Sequence, residues 1–149
     1  MRFEPVRVDA TKYRPDDGTG DDESMTDLRL TVADRDLTAS WTDDAPETRA
    51  ALADALPVTG EAVRWGDELY FDVPLGDVPL EDPGEVVPEG AIAYWPEGGK
   101  LCLFWGPTPA SRENEPRAAA PVTVVATIDD VSPLLTIDGG ARVRIEPRE

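Results

Sequence analysis

After residue 27 most of the chain reads as short apolar runs, several of them alternating with polar residues, punctuated by Gly, Pro and Asp. Leu28, Leu30 and Val32 alternate with Arg29 and Thr31, and after the turn residues Asp34-Arg35 the same period of two runs from Asp36 to Trp41. Successive side chains of a strand point to opposite faces, so this pattern buries one face of each segment. Glu61 to Trp65 and Glu68 to Val73 flank Gly66-Asp67, a two-residue loop with Gly first, as a type II′ hairpin turn requires. A further hairpin pairs Ala91 to Trp95 with Leu101 to Trp105 across Pro96-Glu97-Gly98-Gly99-Lys100. Val122 to Ile128 is a β-branched strand and Ala141 to Ile145 a final one, with a short helical turn expected over Ser132 to Ile137.

One segment breaks the pattern. Thr42-Asp43-Asp44 offer N-cap oxygens, Pro46 falls in the first turn and Glu47 complements the helix dipole. Ala45, Thr48, Leu52, Ala55 and Leu56 form an apolar stripe that Pro57 ends, so a helix is expected over residues 45–56. The Pro- and Gly-rich stretch from Pro74 to Gly90 and the segment Gly106 to Pro121 read as loops. About eight short strands with one early helix predict a mainly β fold, a closed eight-stranded barrel that leaves no exposed edge, with a sandwich as the alternative.

The acidic coat and the missing residue types narrow the chemistry. Acidic side chains number 31 against 14 basic ones, a net charge of −17, and the basic set is twelve Arg with only Lys12 and Lys100 as lysines. Charge of this sign opposes a phosphate-neutralising nucleic-acid binder. Spread among ordinary apolar segments, the acids form a solvated coat that repels itself at low salt. At about 1 M salt the screening length falls to roughly 3 Å. The composition therefore points to a salt-loaded cytoplasm such as that of an extreme halophile. The expected result is a melting temperature that climbs between low and multimolar KCl; coincident melting curves would refute it.

His is absent, so no Ser/His/Asp triad, Cys/His pair or His-based metal site can be built. Asp67-Glu68 and Glu81-Asp82 lack the spaced oxygens of a calcium loop, and the sequence calls for no cofactor or metal. The lone Cys102 forms no intrachain disulfide, and no apolar run has the length of a membrane span, so no membrane partner is expected and the cytoplasm is the default location. Residues 1–27 are polar and acidic and read as a flexible segment ahead of a domain over 28–149. Within it, Phe3, Val6 and Val8 could add a strand, or translation could start at Met25.

Several residues stand out as binding candidates. The register that Gly66-Asp67 imposes puts Arg64 opposite Leu69, on the face carrying Phe71, where it either snorkels to the rim or lines a pocket; snorkelling is the commoner fate. Tyr94/Trp95 and Phe104/Trp105 are adjacent pairs, so each puts one ring inside and one outside, and an uncovered outer ring marks a binding surface. Thr108 lies in a Pro-stiffened exit from that hairpin, and Arg112 and Arg117 form either a local anion site or ion pairs with Glu113 and Glu115.

Taken together, Arg64-Trp65-Gly66-Asp67-Glu68-Leu69-Tyr70-Phe71, then Gly90-Ala91-Ile92-Ala93-Tyr94-Trp95-Pro96, then Leu103-Phe104-Trp105-Gly106-Pro107-Thr108-Pro109, resemble the small archaeal and bacterial cyclophilin-like proteins. The resemblance runs from about Leu28 to the C-terminus and implies a cyclophilin-type closed eight-stranded barrel. Arg64 resembles the arginine with which true cyclophilins isomerise X-Pro bonds, and Phe104 their later phenylalanine. The Gln and His of that site have no counterpart, and Cys102 stands near the place of the Gln. Arg64, Phe71, Tyr94, Cys102 and Phe104 are therefore the candidate pocket, with Trp95, Trp105, Thr108, Arg112 and Arg117 as surface contacts. The leading expectation is a domain that binds a small molecule or peptide segment without efficient catalysis. The alternatives are a degenerate prolyl isomerase and a structural or homo-oligomeric barrel that uses its outward tryptophans.

Overall fold

The computed structural model describes residues 27–148; the expectations for the N-terminal segment fall on residues outside that range. Among the described residues nine strands form in chain order: β1 (Leu28–Val32), β2 (Arg35–Trp41), β3 (Val58–Arg64), β4 (Glu68–Asp72), β5 (Gly84–Val86), β6 (Ala91–Trp95), β7 (Lys100–Phe104), β8 (Arg117–Ile128) and β9 (Ala141–Pro147). Helix α1 (Pro46–Ala55) follows β2, and a 3-10 turn (Ser132–Thr136) precedes β9. Eight strands pair in the order β2-β1-β9-β3-β4-β7-β6-β8, and β8 returns to β2 through Ala39↔Ile128 and Trp41↔Ala126. The sheet thus closes on itself as a ring in which every pairing is antiparallel, and the sandwich alternative is excluded. Strand β5 pairs with β8 outside the ring.

Alternation along the strands divides the apolar residues into two cores. Leu30, Leu69, Phe71, Tyr94, Leu103 and Ile145 belong to the large cluster that fills the ring, with Leu52 of α1 packed into it. Ala91, Ala93, Cys102, Phe104, Ala118 and Val122 form a second cluster on the outer face of β6, β7 and β8. No helix among the described residues is long and apolar enough to cross a membrane.

The expected elements form, with local corrections. The β1–β2 turn is Ala33-Asp34, one residue earlier than the sequence implies, and Arg35 pairs with Val32. Ala33 takes φ +57°, which a side chain with a Cβ tolerates poorly. Ala33→Gly is accordingly expected to raise stability by about 0.5–1 kcal/mol, read as a higher urea midpoint at unchanged m-value. At the β3–β4 turn Gly66 has φ +65° while Asp67 stays out of the left-handed region, as a II′ turn predicts.

Helix α1 is not capped by Thr42–Asp44. Thr42 N–H donates to Val125 O at 3.0 Å, the chain bends at Asp43-Asp44, and the cap position falls on Ala45, which has no side-chain oxygen. Glu81 supplies the cap from across the chain, accepting from Glu47 N–H at 3.0 Å and from Thr48 N–H and Oγ1 at 2.8 Å each. Burial pushes the Glu81 carboxyl up, but these hydrogen bonds outweigh it and bring the group below its ordinary value.

Two segments read as loops contain strand. Residues 117–121 extend β8 backward through Ala118-Ala119-Ala120-Pro121, and Gly84–Val86 pairs with it at Gly84↔Val122 and Val86↔Arg117 across a register shift. Alanine and proline are weak strand formers, so local propensity gave no signal.

Candidate functional site

Pairing register determines which side chains share the outer face. Across β4 and β7, Glu68 stands opposite Phe104, Tyr70 opposite Cys102 and Asp72 opposite Lys100; across β6 and β7, Trp95 stands opposite Lys100. Trp65, one residue past β3, continues the alternation outward while its N–H closes the turn onto Glu68 O at 2.9 Å. The first half of β8 runs past the end of β6, turning from Tyr94↔Thr123 to β5 instead, and stands as a wall beyond the sheet face. Between wall and face lies a cleft of about 310 Å³ lined by Trp65, Glu68, Tyr70, Trp95, Lys100, Cys102, Ala118, Ala119, Ala120 and Val122. Three consecutive alanines leave this space open; larger side chains there would fill it.

Glu68 is the polar centre of the cleft. It is only 5% exposed, and its Oε1 is buried with no hydrogen-bond partner. Burial raises its carboxyl to about 7, while a hydrogen bond with the Cys102 side chain acts in the other direction. Burial, then the adjacent Glu68 charge, push the Cys102 thiol well above its ordinary value, so it is an unreactive neutral donor. Lys100, also part of the lining, forms a close ion pair with Asp72.

Trp95 owes its place to Gly98: a Cβ there would come within 2.3 Å of the indole Cζ3. The loop after β7 is fixed by hydrogen bonds rather than regular structure. Thr108 Oγ1 donates to Arg117 O at 2.5 Å, and Ser111 Oγ accepts from Thr108 N–H at 2.9 Å. Glu115 accepts from Arg112 N–H at 3.0 Å, Glu113 N–H at 2.7 Å and Arg117 Nε at 2.7 Å. The Arg117 hydrogen bond is foremost in holding the Glu115 carboxyl down at about 2.

The residues anticipated from sequence are thus distributed over several places. Cys102 and Trp95 line the cleft, and Phe104 is fully buried in the outer core beside it. Phe71 and Tyr94 point the other way into the ring, as does Trp105. Arg64 also occupies an inward position and snorkels out of the ring: Nη1 donates to Ile137 O at 2.5 Å, Nε to Gly66 O at 2.6 Å and Nη2 to Asp67 Oδ1 at 2.9 Å, with the guanidinium 5.2 Å from the Trp105 ring centre. Arg117 is offset by Glu115 and Glu85, and Thr108 is buried in its loop. Trp65, Glu68, Tyr70, Lys100 and the alanine wall went unrecognised as a site. The available signal was that Trp65, Glu68 and Tyr70 face outward together around the Gly66-Asp67 turn.

The sequence profile of a family described as cyclophilin-like matches residues 26–146. Among solved structures, the solution structure of a hypothetical protein from Archaeoglobus fulgidus is 35% identical with a TM-score of 0.69, over 83% of this chain and 95% of that one. McbB, solved in complex with tryptophan, is 12% identical with a TM-score of 0.59, over 80% of this chain and 44% of that one, a likeness of fold alone. No curated protein matches.

Proposed function

Because the chain belongs to the cyclophilin-like family, we propose that it is a binding domain whose cleft on the outer face of the ring holds a small, flat, largely apolar molecule. The observation that carries this reading is the set of three aromatic side chains, Trp65, Tyr70 and Trp95, around a cleft of about 310 Å³ backed by alanines. That volume lies at the lower end of the range for small-molecule sites, and such sites are apolar with few polar groups, as here. The neighbour solved with tryptophan is a protein of the same fold that holds a molecule of this size and shape. An aromatic ring stacking on these walls would gain about 0.5–1.5 kcal/mol per aromatic pair beyond the area it buries. Prolyl isomerisation draws less support, because the Arg64 donors that would have to reach a twisted amide are engaged with Ile137, Gly66 and Asp67.

The four tryptophans provide the test. Titration with indole, followed by the indole N–H resonances, is expected to move the signals of Trp65 and Trp95 and leave those of Trp41 and Trp105 in place. Gly98→Ala, which displaces the Trp95 ring, should weaken binding by about tenfold, equivalent to ~1.4 kcal/mol. Movement of Trp41 or Trp105 alone, or of none, would refute the cleft as the binding site.

A further inference from the structure

We propose that the ligand of this cleft carries a protonated amine on its aromatic body, and that Glu68 Oε1 is its acceptor. The inference rests on the cleft being the binding site and adds the chemical class of its occupant. A buried carboxyl oxygen without a partner is rare, because it forfeits its hydration and gets nothing in return. Glu68 lines the open cleft while Oε1 itself has almost no accessible surface, so a ligand donor completes it once the carboxyl group turns toward the cleft. Lys100 lines the cleft too, but its ammonium is paired with Asp72, and Arg64 is held by Asp67 and the Ile137 and Gly66 carbonyls, so neither is hydrogen-bonded to Glu68. Cys102 contributes a neutral thiol, Tyr70 a phenol, Trp95 from β6 an uncharged ring, and the β8 wall only alanines and Val122. Aromatic faces attract an ammonium through their quadrupoles, so Trp65, Tyr70 and Trp95 favour the same charge that Glu68 favours.

Binding also moves a proton. With the Glu68 carboxyl at about 7, an ammonium ligand arriving below that pH must displace the Glu68 proton to solvent, and above it pairs directly with the carboxylate. Affinity for the amine therefore rises with pH, by about tenfold between pH 6 and pH 8, as the ionised fraction of Glu68 grows.

Calorimetric titration with tryptamine, 3-ethylindole and indole-3-propionate at constant KCl separates the charge from the ring. Tryptamine should bind at least tenfold tighter than 3-ethylindole at pH 8, and indole-3-propionate more weakly than either. The tryptamine preference should vanish in Glu68→Gln and release close to one proton per ligand at pH 6. Equal affinity for tryptamine and 3-ethylindole would overturn the inference and leave the cleft reading standing. A preference that survives in Glu68→Gln would also overturn it, since attraction by the acidic surface would then suffice. Failure of all three compounds to bind would overturn the cleft reading and this inference together.

Discussion

Glu68→Gln is expected to stabilise the protein by about 2 kcal/mol at pH 8 and to change little at pH 4.5. The folded-state carboxyl lies at about 7, above the 4.5 of an unperturbed glutamate. Between these values the folded protein holds a proton that the unfolded chain has released, so stability falls as pH rises. The stability associated with the protonated group is fully present below about 4.5 and lost as pH passes through about 7. A shift of this size corresponds to ~3 kcal/mol at most, and water in the cleft reduces what the mutation recovers. The remaining carboxylates act in the opposite direction. Glu115, held at about 2, contributes stability above its unfolded value that is lost as pH falls towards 2. The difference between wild type and variant isolates Glu68 from these groups and from the repulsion of the acidic coat. Chemical denaturation at several pH values and constant KCl gives that difference. If it stayed flat from pH 4.5 to 8, Glu68 would ionise as an ordinary surface carboxylate and the desolvated site would be refuted.

Phe104→Ala should be the most damaging single change near the cleft, costing about 3–5 kcal/mol, out of a total that for domains of this size is about 5–15 kcal/mol. Phe104 has no exposed surface and packs in the outer core with Cys102, Ala118 and Val122, three residues that line the cleft. Its removal leaves a cavity between the sheet face and the β8 wall that the strands cannot collapse to fill. Phe104→Leu keeps most of the volume and should cost only about 1 kcal/mol. Because Glu68 stands opposite Phe104 in register, the alanine variant should also admit water beside the carboxyl and flatten the pH dependence. A loss below about 1 kcal/mol in urea unfolding would mean that the outer cluster is not a packed second core.

Part of this site is legible in the sequence. Sequence alternation correctly separates Tyr94 from Trp95 and Phe104 from Trp105, because adjacent strand residues must face opposite ways. The Gly66-Asp67 turn gives the pairing of Arg64 with Leu69 and of Val63 with Tyr70 correctly. Neither pattern says which face of the ring holds the cleft. A site on the outer face needs a wall, and the wall is Ala118–Ala120, whose strand state depends on pairing with β5, a three-residue strand more than thirty positions earlier in the chain. Arg64 shows the same limit. Its inward position follows from the turn, but whether the guanidinium is available depends on the Ile137 carbonyl, 73 residues away.

The sequence by itself determined most of the strands, helix α1, the β3–β4 hairpin register and the classes of chemistry that a chain without histidine cannot perform. These depend on side-chain period, turn geometry and composition, all of which are local. Only the tertiary structure decided that the sheet closes between β2 and β8, that Glu81 caps α1, and that Glu68 is left with a buried, unpartnered oxygen beside three aromatic rings. In a chain with 31 acidic residues a glutamate carries no mark of its own. Its distinction comes from desolvation, which depends on neighbours brought together by strand pairing rather than by sequence.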